Sequence, residues 1–172
     1  MNYRIEKPRA ADIVELTKVA ITTFRQSHGH SSPKEDLENY ISQNFTEANF
    51  LAEIQDEVND YRLLIVENKI VGYSKIRLNH SIEGYDQNIT KLERIYLLEE
   101  VHGSGLGKLF FDFNVSISKD AGQKGIWLYV WVDNHRAIKF YNKMGFKIVG
   151  RYDFEISKTH SNPNHQMYLS FN

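Results

Sequence analysis

The sequence predicts an α/β protein, a mixed sheet with helices on both sides. Three observations carry that expectation. Segments follow one another as one strand, helices, three strands, a helix, a strand, a helix and two strands. The stretch Lys91 to Lys108 runs from an alternating strand through three glycines into a helix start. Ile126 to Val132 is almost wholly apolar or aromatic, as a strand buried on both faces would be. With 172 residues, residues 1–172 are expected to form one domain with a real hydrophobic core.

In chain order, Tyr3 to Lys7 alternates as a short strand, and Pro8 stops it. Asp12 charges or caps a first helix with Ile13, Leu16, Ala20 and Phe24 on one stripe. That helix should end before the polar segment Ser27 to Ser32. Pro33, at a first helical position, and the acids after it open a second helix faced by Leu37, Tyr40, Ile41 and Phe45. Thr46 opens a third, with Phe50, Leu51 and Ile54 on one side.

Tyr61 to Glu67 and Ile70 to Leu78 are strands of a hairpin turning at Asn68-Lys69. Asn79 to Asn88 is a polar loop. The strand within Lys91–Lys108 follows, then a helix from Leu106 to about Ala121 faced by Leu109, Phe110, Phe113 and Ile117. After the aromatic strand, a helix from about Asn134 to Lys143 carries Ala137, Ile138, Phe140 and Tyr141, with Gly145 as its stop. Phe146 to Ser157 and Gln166 to Phe171 are closing strands, and the linker Lys158 to Asn164 holds Pro163. Trp127, Tyr129 and Trp131 are expected to face alternate sides of their strand.

Charge and composition exclude several functions. The chain carries 21 basic and 22 acidic residues, a formal net charge of −1, which argues against general attraction to nucleic acid or a membrane surface. It has no cysteine, so disulfides, thiolate metal sites and cysteine nucleophiles are ruled out. No apolar run approaches the ~20 residues of a membrane span, and the N-terminus lacks a signal-peptide core. A cytoplasmic protein is the expectation. No histidine pair has a metal-ligand spacing such as H-E-x-x-H, and His28, His30 and His80 are loop residues that could line a substrate site, with exposure to solvent the plainer expectation for each.

The glycine stretch carries the chemistry. A strand that passes through Gly103, Gly105 and Gly107 into a helix start gathers unpaired backbone N–H groups. The helix dipole adds positive charge there, so the element suits a phosphate or pyrophosphate. A glycine-rich turn that binds nothing is the plain alternative.

Two segments together resemble the GNAT family of acetyl-CoA-dependent N-acetyltransferases. The first is His102-Gly103-Ser104-Gly105-Leu106-Gly107; the second is Asn134-His135-Arg136-Ala137-Ile138-Lys139-Phe140-Tyr141, closed by Gly145-Phe146. The element order matches that fold over essentially the whole chain. His102 departs from the family pattern, which has Arg or Gln at that position. The resemblance implies a mostly antiparallel sheet of about six to seven strands, splayed where acetyl-CoA binds. Pantetheine would add to the edge of the first splayed strand through Ile95, Tyr96 and Leu97. The pyrophosphate would sit on the amides of His102, Gly103, Ser104, Gly105, Leu106, Gly107 and Lys108, and Asn134 would contact the cofactor.

By the same resemblance Tyr141 is the general acid that protonates the coenzyme A sulfur. Glu93 is the general base acting through water, its alternatives being a half-exposed strand carboxylate or a partner for Arg94. No metal is implied. The acceptor is a primary amine, and the overall pattern looks most like bacterial spermidine/spermine acetyltransferases. Glu35, Asp36, Glu38, Glu53, Asp56, Glu57 and Asp60 would hold the polycation, unless they form an ordinary solvated face. A protein N-terminus or another small amine as acceptor, or a non-catalytic acetyl-CoA sensor, are the other readings. The resemblance also implies homodimers, which the strands over 146–171 would support.

Overall fold

Alternation of apolar residues along the strands gives the sheet two buried faces. In strand β2 (Asp60–Val66), Leu63 and Ile65 join one core cluster while Leu64 and Val66 join another. The computed structural model describes residues 2–85 and 88–171. Met1 of the expected N-terminal stretch, Asp86 and Gln87 of the expected loop, and Asn172 lie outside the described residues. Among the described residues, β1 (Tyr3–Glu6), β2, β3 (Lys69–Arg77), β4 (Thr90–Leu97), β5 (Gly125–Trp131), β6 (Lys147–Ser157) and β7 (His160–Ser170) form one sheet. Their order is β1-β2-β3-β4-β5-β7-β6. The pair β4–β5 is parallel and every other pair is antiparallel. The mixed α/β sheet read from the sequence is therefore the observed fold.

The first face is covered by α1 (Ile13–His28), α2 (Lys34–Asn44) and α3 (Glu47–Gln55), which pack Leu16, Phe24, Ile41 and Phe50 onto Leu63, Ile65 and Tyr73. The second face is covered by α4 (Leu106–Asp120) and α5 (His135–Met144), through Phe110 and Phe111 of α4 and Ala137 and Phe140 of α5. No helix among the described residues is long and apolar enough to cross a membrane.

Several boundaries differ from expectation for physical reasons. Helix α1 continues through Ser27 to His28, because Phe24 and His28, one turn apart, stack at 4.5 Å. Pro33 is the N-cap of α2 rather than its first helical residue. The β2–β3 turn is Glu67-Asn68, both at positive φ, with Val66 paired to Lys69. Strand β7 begins at His160, well before Gln166. Pro163 is tolerated there because β5 pairs no further than Asn164, and the Pro163 carbonyl accepts from Val132 N–H at 3.0 Å. Trp127, Tyr129 and Trp131 share one face, being two residues apart, while Ile126, Leu128 and Val130 enter the second-face core. That strand is not buried on both sides, since Tyr129 and Trp131 are only half-buried.

Two irregularities shape what lies between β4 and β5. Lys75 pairs with Arg94 but Ile76 pairs with Leu92, so Glu93 is an extra residue in β4, a β-bulge. Strands β4 and β5 pair only at Thr90–Ile126 and Lys91–Trp127. Beyond that they part, as the resemblance implied.

Candidate active site

The parting of β4 and β5 opens a cavity of about 550 Å³ that reaches from the aromatic face of the sheet to the glycine loop. The antiparallel ladder decides which backbone groups of β4 face it. Leu98 N–H donates to the Val71 carbonyl at 2.8 Å, so by alternation Tyr96 and Arg94 also bond to β3. Ile95 and Leu97 turn their N–H and C=O groups toward the gap. Of the three main-chain contacts expected, Tyr96 is the exception, and it lines the cavity with its ring instead.

The glycine loop is built for open amides. Gly103 and Gly105 have φ of +78° and +86°, and a Cβ on either would meet nothing within 4 Å. The glycines are needed for backbone conformation, not for close packing. Gly105 caps α4, and Ser104 Oγ donates to the Val101 carbonyl at 2.6 Å while lying 3.4 Å from Leu106 N–H. His102 N–H donates to the Glu99 carbonyl. Among the described residues, the N–H groups of Gly103, Ser104, Gly105, Gly107 and Lys108 have no partner within the chain. These donors at a helix N-terminus fit a diphosphate.

His102 has a defined job here. Its Nε2–H donates to the Leu97 carbonyl at 3.0 Å, and its Nδ1 accepts from the Arg136 guanidinium at 2.6 Å. Burial and then the Arg136 charge hold its pKa below the ordinary value. The neutral imidazole thus places a guanidinium from α5 beside the loop, where the usual motif would supply Arg from position 102 itself. Sequence reading missed Arg136, although it sits inside the second motif two residues after Asn134. Asn134 lines the cavity, and its Oδ1 accepts from Ala137 N–H at 3.2 Å as the cap of α5.

Tyr141, on α5, lines the cavity and packs edge-on against Phe140 and Phe146. Burial, with Tyr96 nearby, raises its pKa above the ordinary phenol value. It is a phenol that stays protonated, which a proton donor requires.

Glu93 lies on the other side of the chemistry. The bulge turns it toward Lys75 at 2.7 Å, Lys91 at 3.4 Å and Arg77 at 3.9 Å. Burial alone would raise its pKa, but the Lys75 hydrogen bond and the Lys75, Lys91 and Arg77 charges prevail and hold it low. It is not paired with Arg94. That guanidinium belongs to Glu53, at 3.3 Å, which also takes Lys75 at 2.8 Å.

None of the seven acids expected to hold a polycation lines this cavity. Glu38 pairs with Arg25 and Asp60 with Arg62, and Asp36 accepts from Ser157. His80 stacks on Trp127 away from the cavity, whereas His28 lies in its wall. Among the described residues no group of His, Asp and Glu is arranged to hold a metal ion.

Comparison with known proteins adds four findings. The model of the acetyltransferase (GNAT) family matches residues 15–146. An uncharacterized N-acetyltransferase of Mycobacterium tuberculosis is 30% identical over 151 residues, 88% of this chain and 93% of that protein. The spermidine N(1)-acetyltransferase of Thermoplasma acidophilum is 24% identical over 152 residues, 86% of this chain and 90% of its own length. The solved structure of the PaiA N-acetyltransferase of Thermoplasma acidophilum, in complex with coenzyme A, is similar in fold. Its TM-score is 0.80 at 21% identity, covering 99% of this chain and 100% of that one.

Proposed function

The chain belongs to the acetyltransferase (GNAT) family, and from that premise we propose that it transfers the acetyl group of acetyl-CoA to a primary amine. One observation carries the reading: the gap between β4 and β5 has unpaired loop amides at one end and a protonated phenol in its wall. Acetyl-CoA supplies the thioester electrophile. Ile95 and Leu97 lend their gap-facing backbone groups to its pantetheine, and the amides of residues 103–108 take its diphosphate together with Arg136. Asn134 contacts the cofactor with what its capping role leaves free. Residues 1–172 act as a single acetyltransferase domain.

In transfer, a C–N bond forms, the C–S bond breaks, the amine gives up a proton and the sulfur takes one. Tyr141 gives the proton to sulfur. Glu93, ionised and reachable through water, takes the amine's proton. Its low basicity suits it to a proton leaving nitrogen as the C–N bond forms, when that nitrogen is most acidic.

The narrower reading is a polyamine acceptor such as spermidine, and likeness to the spermidine acetyltransferase supports it. With the expected acids outside the cavity, a second ammonium would rest on rings in its wall such as Trp131 and Tyr152. The experiment is release of coenzyme A thiol from acetyl-CoA with spermidine, spermine, a peptide with a free N-terminus and an aminoglycoside. Turnover of spermidine above the others is expected. Turnover confined to another amine would end the polyamine reading, and turnover of none would end the proposed activity.

A further inference from the structure

Among the polar groups in the cavity wall, His28 stands out by its position. Helix α1 delivers His28 to that wall, where its ring stacks on Phe24 at 4.5 Å. The same ring lies 6.3 Å from the ring of Tyr96 on β4 and 6.3 Å from that of Trp131 on β5. Those are the two strands that part. His28 therefore spans the gap from the α1–α3 face of the sheet, while Tyr141 reaches it from α5 on the opposite face.

The chemistry of the ring is well defined. Its Nδ1 is sealed from solvent and out of good hydrogen-bond geometry with any described residue. Burial pushes the pKa down to about 4, only partly offset by the Phe24 carbonyl one helical turn back. With Nδ1 sealed, Nε2 is the nitrogen open to a ligand, and its lone pair is available when the proton sits on Nδ1. Two other acceptors in the wall are occupied: Glu93 by Lys75, Lys91 and Arg77, and the Asn134 oxygen by the α5 cap.

We propose that His28 receives the acceptor: its neutral imidazole accepts a hydrogen bond from the amine N–H and aims the nitrogen lone pair into the gap between β4 and β5. The proposal rests on the N-acetyltransferase reading and narrows it. An uncharged acceptor repels neither an amine nor an arriving ammonium, and a flat ring held on one face by Phe24 keeps the hydrogen bond in a fixed direction. His28 is then a residue that touches substrate on the side opposite the proton donor.

The test uses His28→Phe, which keeps the stacking on Phe24 and removes both nitrogens, and His28→Asn, which keeps an acceptor. For the amine turned over best in the panel, kcat/KM should fall about 100-fold in His28→Phe and recover in part in His28→Asn. The Kd for coenzyme A by calorimetry should stay within about threefold of the unaltered protein. A fall in kcat/KM of less than about threefold overturns the proposal. A second readout needs no turnover. With coenzyme A bound, n-butylamine should shift the ¹⁵N resonances of the His28 ring, assigned by their loss in His28→Phe. Unmoved resonances overturn the proposal. Failure of the unaltered protein to acetylate any amine would instead count against the activity, and the ¹⁵N titration would still decide on His28.

Discussion

Replacing Glu93 by Gln removes one negative charge from among Lys75, Lys91 and Arg77, and the size of the effect follows from their burial. The side chains of Glu93 and Lys75 are 19% and 10% exposed and lie 2.7 Å apart. Breaking a fully buried pair costs about 3–5 kcal/mol, because the partner is left charged and uncompensated. Lys75 keeps Glu53 at 2.8 Å, but Lys91 and Arg77 lose their acid, so with this degree of solvent contact the loss for Glu93→Gln should be ~2–3 kcal/mol. In a chain of this size that lowers Tm by about 5–10 °C in thermal unfolding followed by circular dichroism at pH 7. Adding Lys91→Met removes a surplus cation and should restore part of the loss. The pH dependence has a definite sign. The folded carboxyl has a lowered pKa, so its stabilisation is present above the unfolded value near ~4.3 and lost as pH falls through the folded value. Glu93→Gln should flatten that acid limb. A Tm within about 1 °C of the unaltered protein would refute the reasoning and leave Glu93 with a purely catalytic role.

Three further outcomes are expected. Tyr141→Phe keeps the packing on Phe140 and Phe146, so Tm and coenzyme A affinity should hold while kcat falls about 10²–10⁴-fold; an unchanged kcat would remove the proton-donor role. Arg136→Gln should weaken coenzyme A binding by about 10-fold in calorimetry, by loss of a charge-assisted contact, and leave the affinity for a pantetheine fragment without the diphosphate unchanged. Because His28 has its pKa pushed down to about 4, the unfolded chain binds more protons than the folded one between that value and ~6.5. Stability should therefore fall over that window as pH drops, by up to ~3 kcal/mol, and the fall should be smaller in His28→Phe.

The fold was largely legible because its signals are local. Thr46 caps α3, Gly145 ends α5 at φ +97°, and Gly105 caps α4, each at the residue where the sequence pattern changes. What was not legible depends on partners far apart in sequence. The bulge at Glu93 exists only in register with Lys75 and Ile76, and the cations that tie Glu93 down come largely from the neighbouring strand. His102 read as a departure from the motif's Arg or Gln, and the hydrogen bond that ties it to Arg136 spans 34 residues. His28 read as a loop residue because Ser27 to Ser32 is polar; stacking on Phe24 and closeness to Trp131 are tertiary facts. The seven acids illustrate the converse. Their composition suggested a polycation site, but arginine, lysine and serine partners engage several of them outside the cavity.

One measurement tests the central claim most directly: quantifying both products, acetylated amine by mass spectrometry and free coenzyme A by its thiol, in one reaction of the unaltered protein with acetyl-CoA and spermidine. Acetyl transfer predicts the two in equal amounts, with neither formed when the amine is left out. Coenzyme A released without acetylated amine, or acetyl-CoA bound and returned intact with every amine tried, would contradict it.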